Sequence, residues 1–118
     1  MILRKVIRNE IGYLLNTKKC TSCIIGYKYP RGDIFIPKSI NYESQEYVVT
    51  SIYPGAFKCA SDIKSIQFAK NSELHTIGKE AFSNSTVMMI SIPSCVTELQ
   101  KGWCSWANLL TEVKVFKH

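Results

Sequence analysis

No apolar run in the 118 residues approaches the length, about 20 residues, that a helix needs to cross a bilayer. The first ten residues place Arg4, Lys5, Arg8 and Glu10 among Ile2, Leu3, Val6 and Ile7, so no secretory signal peptide is read there. Histidine is scarce: His75 stands between Leu74 and Thr76, and His118 ends the chain. A cysteine nucleophile would therefore have little choice of base. There is no glycine-rich phosphate loop, no nucleophile elbow and no carboxylate pair in a distinctive motif. These absences point away from an enzyme, and no catalytic residue or cofactor is expected.

Acidic residues are also few, 9 against 15 Lys and Arg, for a net charge of +6. The imbalance is local. Residues 1–38 carry Arg4, Lys5, Arg8, Lys18, Lys19, Lys28, Arg31 and Lys38 against Glu10 and Asp33, whereas the remainder is balanced. Such a region attracts anionic surfaces weakly. The simpler reading is a solubilising terminal unit, because no helix-turn-helix, zinc-finger or aromatic-basic signature accompanies it and no specific nucleic acid partner is implied.

Five cysteines are present, an odd number. Cys20 and Cys23 have the spacing of half a zinc site, but the other half is missing, so no metal is expected. Cys59, Cys95 and Cys104 are scattered, and the set reads mostly as reduced thiols serving as small core residues. Cys20 and Cys23 flank a turn, which would suit a local disulfide in an oxidising compartment.

What the sequence does have is a period. Ile66-Gln67-Phe68, Ile90-Ser91-Ile92 and Val113-Lys114-Val115 are apolar-polar-apolar triplets stepping by 24 and then 23 positions. Ile63, Val87 and Leu110 precede them by three residues. A second phrase interleaves: Val49 to Ile52 runs on to Ala56-Phe57, Leu74 to Ile77 to Ala81-Phe82, and Val96 to Leu99 to Trp103-Cys104. Cys104 thus takes the slot of Phe57 and Phe82. A period of this length means stacked units, none of which buries its apolar face alone.

The residues carrying the period resemble the BspA-type leucine-rich repeat of bacterial and protozoan surface proteins. The pattern reads Val87-Met88-Met89-Ile90-Ser91-Ile92-Pro93, then Val96-Thr97-Glu98-Leu99, with Ile77-Gly78-Lys79-Glu80-Ala81-Phe82 as the neighbouring turn. The resemblance covers roughly residues 34–115, with three copies and a fourth partial one. It implies a right-handed leucine-rich-repeat solenoid of parallel strands with short helical or 3-10 turns. It further implies recognition of a protein or glycan in adhesion at a cell surface, and it brings no catalytic residues. A structural self-assembly module, or a fragment of a longer array, is the alternative.

Two units follow: a basic N-terminal β-hairpin cap over residues 1–33 and repeats over 34–118. Residues 11–27 read as a hairpin turning at residues 16–19. Ile2, Leu3, Val6, Ile7 and Ile11 could also line a helical face of a basic leader, but a first strand or cap is the preferred reading. Tyr29-Pro30-Arg31-Gly32 is a turn, and Arg31-Gly32-Asp33 is read as turn chemistry before a strand over an adhesive motif. Aligning Ile36 with Ile92 brings the next phrase nine residues late, so residues 41–48 are an insertion. It is expected to protrude as a hairpin with Glu43-Ser44-Gln45-Glu46 at its tip between Tyr42 and Tyr47.

Strand alternation selects the outward residues. The expected binding face comprises Phe35, Ser65, Gln67, Met89, Ser91, Glu112 and Lys114. The sequence stops within a repeat, so Leu110, Val113, Val115 and Phe116 are expected to form an uncovered edge through which two copies could pair as a homodimer.

Overall fold

The computed structural model describes residues 3–29 and 31–116, with Phe116 as backbone only. Eleven strands and no helix occur among them: β1 (Leu3–Arg8), β2 (Ile11–Asn16), β3 (Thr21–Tyr27), β4 (Gly32–Ile36), β5 (Ser39–Tyr42), β6 (Gln45–Ile52), β7 (Ile63–Phe68), β8 (Thr76–Ile77), β9 (Met89–Pro93), β10 (Glu98–Leu99) and β11 (Glu112–Phe116). The triplets form one parallel sheet in the order β4-β7-β9-β11. The second phrase forms the other sheet, in which β3, β6, β8 and β10 run parallel, β2 and β1 extend it beyond β3 by antiparallel pairing, and β5 pairs antiparallel with β6. The chain alternates between the sheets, which makes a parallel β-solenoid of about four turns. The second sheet is marked in the sequence by its recurring phrase alone, because two-residue strands such as β8 and β10 carry no alternation.

Registers are those the repeat dictates. Asp33 pairs Ser65, Ser65 pairs Met89 and Met89 pairs Glu112; Ile34, Ile66, Ile90 and Val113 follow one residue on. One extra residue, Lys64, bulges from β7 where Gly32 pairs Ile63 and Asp33 pairs Ser65. Inward-facing Ile36, Ile52, Ile63, Ile66, Leu74, Ile77, Val87 and Ile90 are fully buried in one cluster drawn from both sheets.

The turns are not helical or 3-10, contrary to expectation. In the first, Ala56, Lys58 and Ala60 donate to the carbonyl three residues back, while Gly55, Phe57 and Cys59 donate to Lys79, Ala81 and Ser83 of the next coil. The second turn repeats the scheme: Glu80, Phe82 and Asn84 donate to Lys101, Trp103 and Ser105. Alternate amides thus close the turn and bind the neighbour. Positive φ recurs at Gly55, Glu80 and Gly102, and again at Cys59, Asn84 and Trp106, which breaks any helical run. The same registers set Cys104 level with Phe57 and Phe82, where it is half-buried and its thiol pKa is pushed up by burial. Tyr27, Phe57, Phe82 and Trp103 form a spine: the first three rings stack at 6.0 and 5.1 Å, and Trp103 meets Phe82 edge-on at 6.4 Å.

Leu3–Arg8 is a strand rather than a leader helix, and Ile2 lies outside the described residues. The expected hairpin at residues 11–27 is β2–β3, with Asn16 Oδ1 accepting from the amides of Lys18 and Lys19. Pro30, part of the expected turn, also lies outside the described residues.

The insertion is a hairpin, β5–β6, but it is part of the wall and does not stand free. Ile40 and Tyr47 are buried, and Tyr42 packs against the core beneath the Arg4 guanidinium, 5.7 Å from its ring. Its turn is the two-residue Glu43-Ser44, since Tyr42 pairs Gln45. Both turn residues have positive φ, 49° and 64°, the geometry of a type I′ turn. Replacing Glu43-Ser44 with Asn-Gly should therefore raise stability, by about 1 kcal/mol, because the left-handed strain at Ser44 is removed. Chemical denaturation reads this directly, and a loss of stability would show that the turn side chains pack.

Candidate functional site

The outward side of the triplet sheet carries the residues expected to bind. Phe35 on β4 is 62% exposed and pairs Gln67, also exposed. Ser91 and Lys114 continue the row, and Met89 and Glu112 lie in the row beside it. Lys114 and Glu112 are exposed and approach to 3.8 Å, an ion pair of small energetic value in water. Ser65 and Ser91 hold outward positions but are buried. Ser65 Oγ donates to Asp33 Oδ1 at 2.7 Å and is spent on the fold. The sheet therefore displays Phe35, Gln67, Glu112 and Lys114, with Met89 half-buried beside them and the two serines at its base.

The last coil places Leu110 against the core, half-buried, and exposes Val113 and Val115 by 45% and 62%. Phe116 ends β11, and its side chain lies outside the description. Leu99, which the second phrase places in an inward column, is instead exposed, and Leu109, not singled out from the sequence, is exposed on the same coil.

A third feature had no sequence signal. Beside β4 lies an open groove of about 830 Å³, walled by the β1–β2 turn at Arg8–Ile11, by Tyr13 and by Ile40. Tyr13 is only 2% exposed, and its hydroxyl has no hydrogen-bond partner among the described residues. Burial pushes its pKa up to about 12. The fold thus holds the neutral phenol. The stability this contributes is complete below the ordinary tyrosine pKa near 10 and is lost as pH rises through the folded value. Between pH 10 and 12 the native chain should lose about 2–3 kcal/mol more than Tyr13→Phe. Identical alkaline profiles in urea unfolding would contradict this.

Arg31 is exposed, but Asp33 sits within β4 with its carboxylate engaged by Ser65, which suits the strand-start reading of the Arg31-Gly32-Asp33 triplet. The five cysteines are free thiols, and the Cys23 pKa is raised by burial against a lowering hydrogen bond from Ser51. His75 is exposed, with Nδ1 2.8 Å from Thr76 Oγ1. Among the described residues no group of three or more His, Cys, Asp or Glu is disposed to hold a metal ion. No helix of the described residues is long and apolar enough to cross a membrane.

The rows, the turns and the 22-to-25-residue step between coils together match a known repeat pattern over residues 33–117, that of the BspA type leucine rich repeat region, in six copies. The chain belongs to this family. Among solved structures it is similar to a leucine-rich repeat protein from Bacteroides capillosus ATCC 29799, with 23% identity, a TM-score of 0.59, 96% of this chain covered and 99% of that one. It is also similar to the pneumococcal vaccine antigen PcpA, with 16% identity, a TM-score of 0.68, 96% of this chain covered and 38% of that one. A leucine rich cell surface protein from Faecalibacterium prausnitzii A2-165 matches at 19% identity and a TM-score of 0.49, over 95% of this chain and 42% of that one. No protein with a curated description is significantly similar. At these identities the likeness is one of fold.

Proposed function

We propose that this BspA-type repeat chain is a non-catalytic recognition module that engages a protein or glycan at a cell surface through the outer side of β4-β7-β9-β11. In this reading the coils wind right-handed, β1–β3 cap the array, and the basic first 38 residues add weak attraction to anionic surfaces. The observation that carries it is the display of Phe35, Gln67 and Lys114 along one row of a continuous sheet, with half-buried Met89 in the row beside it, an aromatic and a thioether among polar groups. The family membership and the likeness in fold to a vaccine antigen support the reading. The test is binding of the fluorescent chain to arrayed glycans and extracellular protein domains. Phe35→Ala with Gln67→Ala and Lys114→Ala should lose at least tenfold in affinity for every hit while the melting temperature is kept. Hits unaffected by the triple change would contradict the reading.

A second reading, self-assembly through the last coil, rests on its own observation. The amides of Gly102, Cys104 and Trp106 are equivalent to those that bind the next coil elsewhere, yet have no acceptor among the described residues. Leu99, Leu109, Val113 and Val115 are exposed on the same coil. The 118-residue chain should then dimerise in light scattering over a dilution series, and Val113→Lys with Val115→Lys should make it monomeric. A wild-type chain monomeric at every concentration would rule this out.

A further inference from the structure

The two sheets end differently. Beyond β3, the repeat strands' sheet continues with β2 and β1, whereas the triplet sheet stops at β4. The outer edge of β4 is thus unpaired among the described residues, and it opens onto the groove. Gly32 N donates to Asp62 and Ile36 O accepts from Ala69, so even-numbered positions of β4 turn their backbone groups to the β7 side. Strand alternation then directs the N–H and C=O of Asp33 and Phe35 to the free edge, two donors and two acceptors in ladder spacing.

The surroundings select among strands that could pair there. Arg8 and Arg31 border the groove, as does Glu10 on the β1–β2 turn, and none of the three is in an ion pair among the described residues. Arg8 donates only to the carbonyls of Ile7 and Asn41. The one carboxylate on β4, Asp33, is already held by Ser65. Tyr29 and Phe35 stand exposed at the rim, and Tyr13, whose hydroxyl has no partner among the described residues, lines the wall. Five residues of β4 give an extended ligand of similar length about 16 Å of pairing.

We propose that the free edge of β4 takes an extended acidic peptide of a partner protein as an added strand, with Arg8 and Arg31 receiving its carboxylates. The added strand pairs with Asp33 and Phe35 by main-chain hydrogen bonds and packs an alternate side chain against Tyr13 and Ile40. Main-chain pairing supplies affinity and the arginines supply selection. This site uses the edge of β4, not the sheet's outer side, so Gln67→Ala with Lys114→Ala leaves it intact and separates its failure from that of the outer-face reading.

The experiment titrates the full 118-residue chain with the blocked peptide Asp-Val-Asp-Val-Asp, monitored by amide shifts in NMR. Three comparison probes are used: the same peptide with lysine for aspartate, a version N-methylated at both valines and their flanking aspartates, and an oligogalacturonate of equal charge. The acidic peptide should bind with a Kd below about 1 mM, shift Asp33 and Phe35, and protect their amides from exchange. Lysine replacement and N-methylation should each weaken it at least tenfold, as should Arg8→Glu with Arg31→Glu in a chain of unchanged melting temperature. Absence of binding, equal binding of the N-methylated peptide, or preference for the oligogalacturonate would overturn the proposal, the last in favour of an acidic glycan held by charge alone.

Discussion

Phe82→Ala should cost about 3–5 kcal/mol of unfolding free energy, the largest loss expected of any single truncation here. The ring is fully buried and sits at the middle of the aromatic spine, 5.1 Å from Phe57 on one side and 6.4 Å from Trp103 on the other. Neither neighbour can close the gap, because the backbones that carry them are tied at fixed spacing by the bonds from Phe57 N to Ala81 O and from Phe82 N to Trp103 O. A cavity therefore persists, and its cost adds to the lost transfer energy. Small domains have only about 5–15 kcal/mol in total, so the variant should be close to unfolding at body temperature. Urea denaturation followed by far-ultraviolet circular dichroism measures the change. Phe82→Leu should cost less than half as much, since it refills most of the volume. A Phe82→Ala loss under about 1 kcal/mol would show that the stack contributes little and that the coils are held by their hydrogen bonds.

Gly78→Ala should be nearly as damaging, for the opposite reason. A Cβ at this position would lie 2.6 Å from Ile52 O, 2.6 Å from Pro54 N and 2.8 Å from Tyr53 C. All three are backbone atoms of the preceding coil, and Gly78 N donates to that same Ile52 carbonyl. No side chain can rotate away, so the coils must part and weaken the bonds around them. Overpacking of this kind costs about 1–3 kcal/mol, and more where, as here, the obstruction is backbone. Gly32 is a useful contrast. It has positive φ, 65°, but open space around its Cβ position, so Gly32→Ala should pay only the backbone strain, about 1 kcal/mol. Thermal unfolding of the two variants should give a clearly larger drop for Gly78→Ala. The reverse order would mean that the first and second coils are less closely packed than these distances require.

Gly78 also shows where the sequence stops being informative. The triplets state their own strands, and Ile66, Ile90 and Val113 reveal the register because a buried face tolerates no slip of one residue. The aromatic slot is equally legible, since Phe57 and Phe82 recur at one point of the period. Gly78 stands where the neighbouring coils have Tyr53 and Gln100, and nothing in the chain says that two backbones meet there. The helical or 3-10 turns that the resemblance implies do not form, because half of the amides of Gly55 to Ala60 are committed to residues 24 positions away. Ser65 and Ser91 fall on the expected side of the sheet but are buried, and the Ser65 hydroxyl is bonded to Asp33. The nine-residue offset correctly marks an inserted hairpin. Its alternation does not reveal that Ile40 and Tyr47 pack inward or that the turn narrows to Glu43-Ser44. The groove beside β4 is wholly illegible, for it arises from sheets of unequal width, and its residues Arg8, Tyr13 and Arg31 come from segments with no common motif.

The solenoid requires successive coils to be joined in parallel register by alternate turn amides. Scalar couplings across hydrogen bonds, measured by long-range amide-to-carbonyl NMR on the deuterated chain, test this most directly. Couplings are expected from the Phe57 amide to the Ala81 carbonyl and from the Phe82 amide to the Trp103 carbonyl, with the Lys58 amide coupled to Gly55 in the same turn. Couplings from Phe57 and Phe82 to carbonyls four residues back would instead make the turns helices and contradict the stacked-coil architecture.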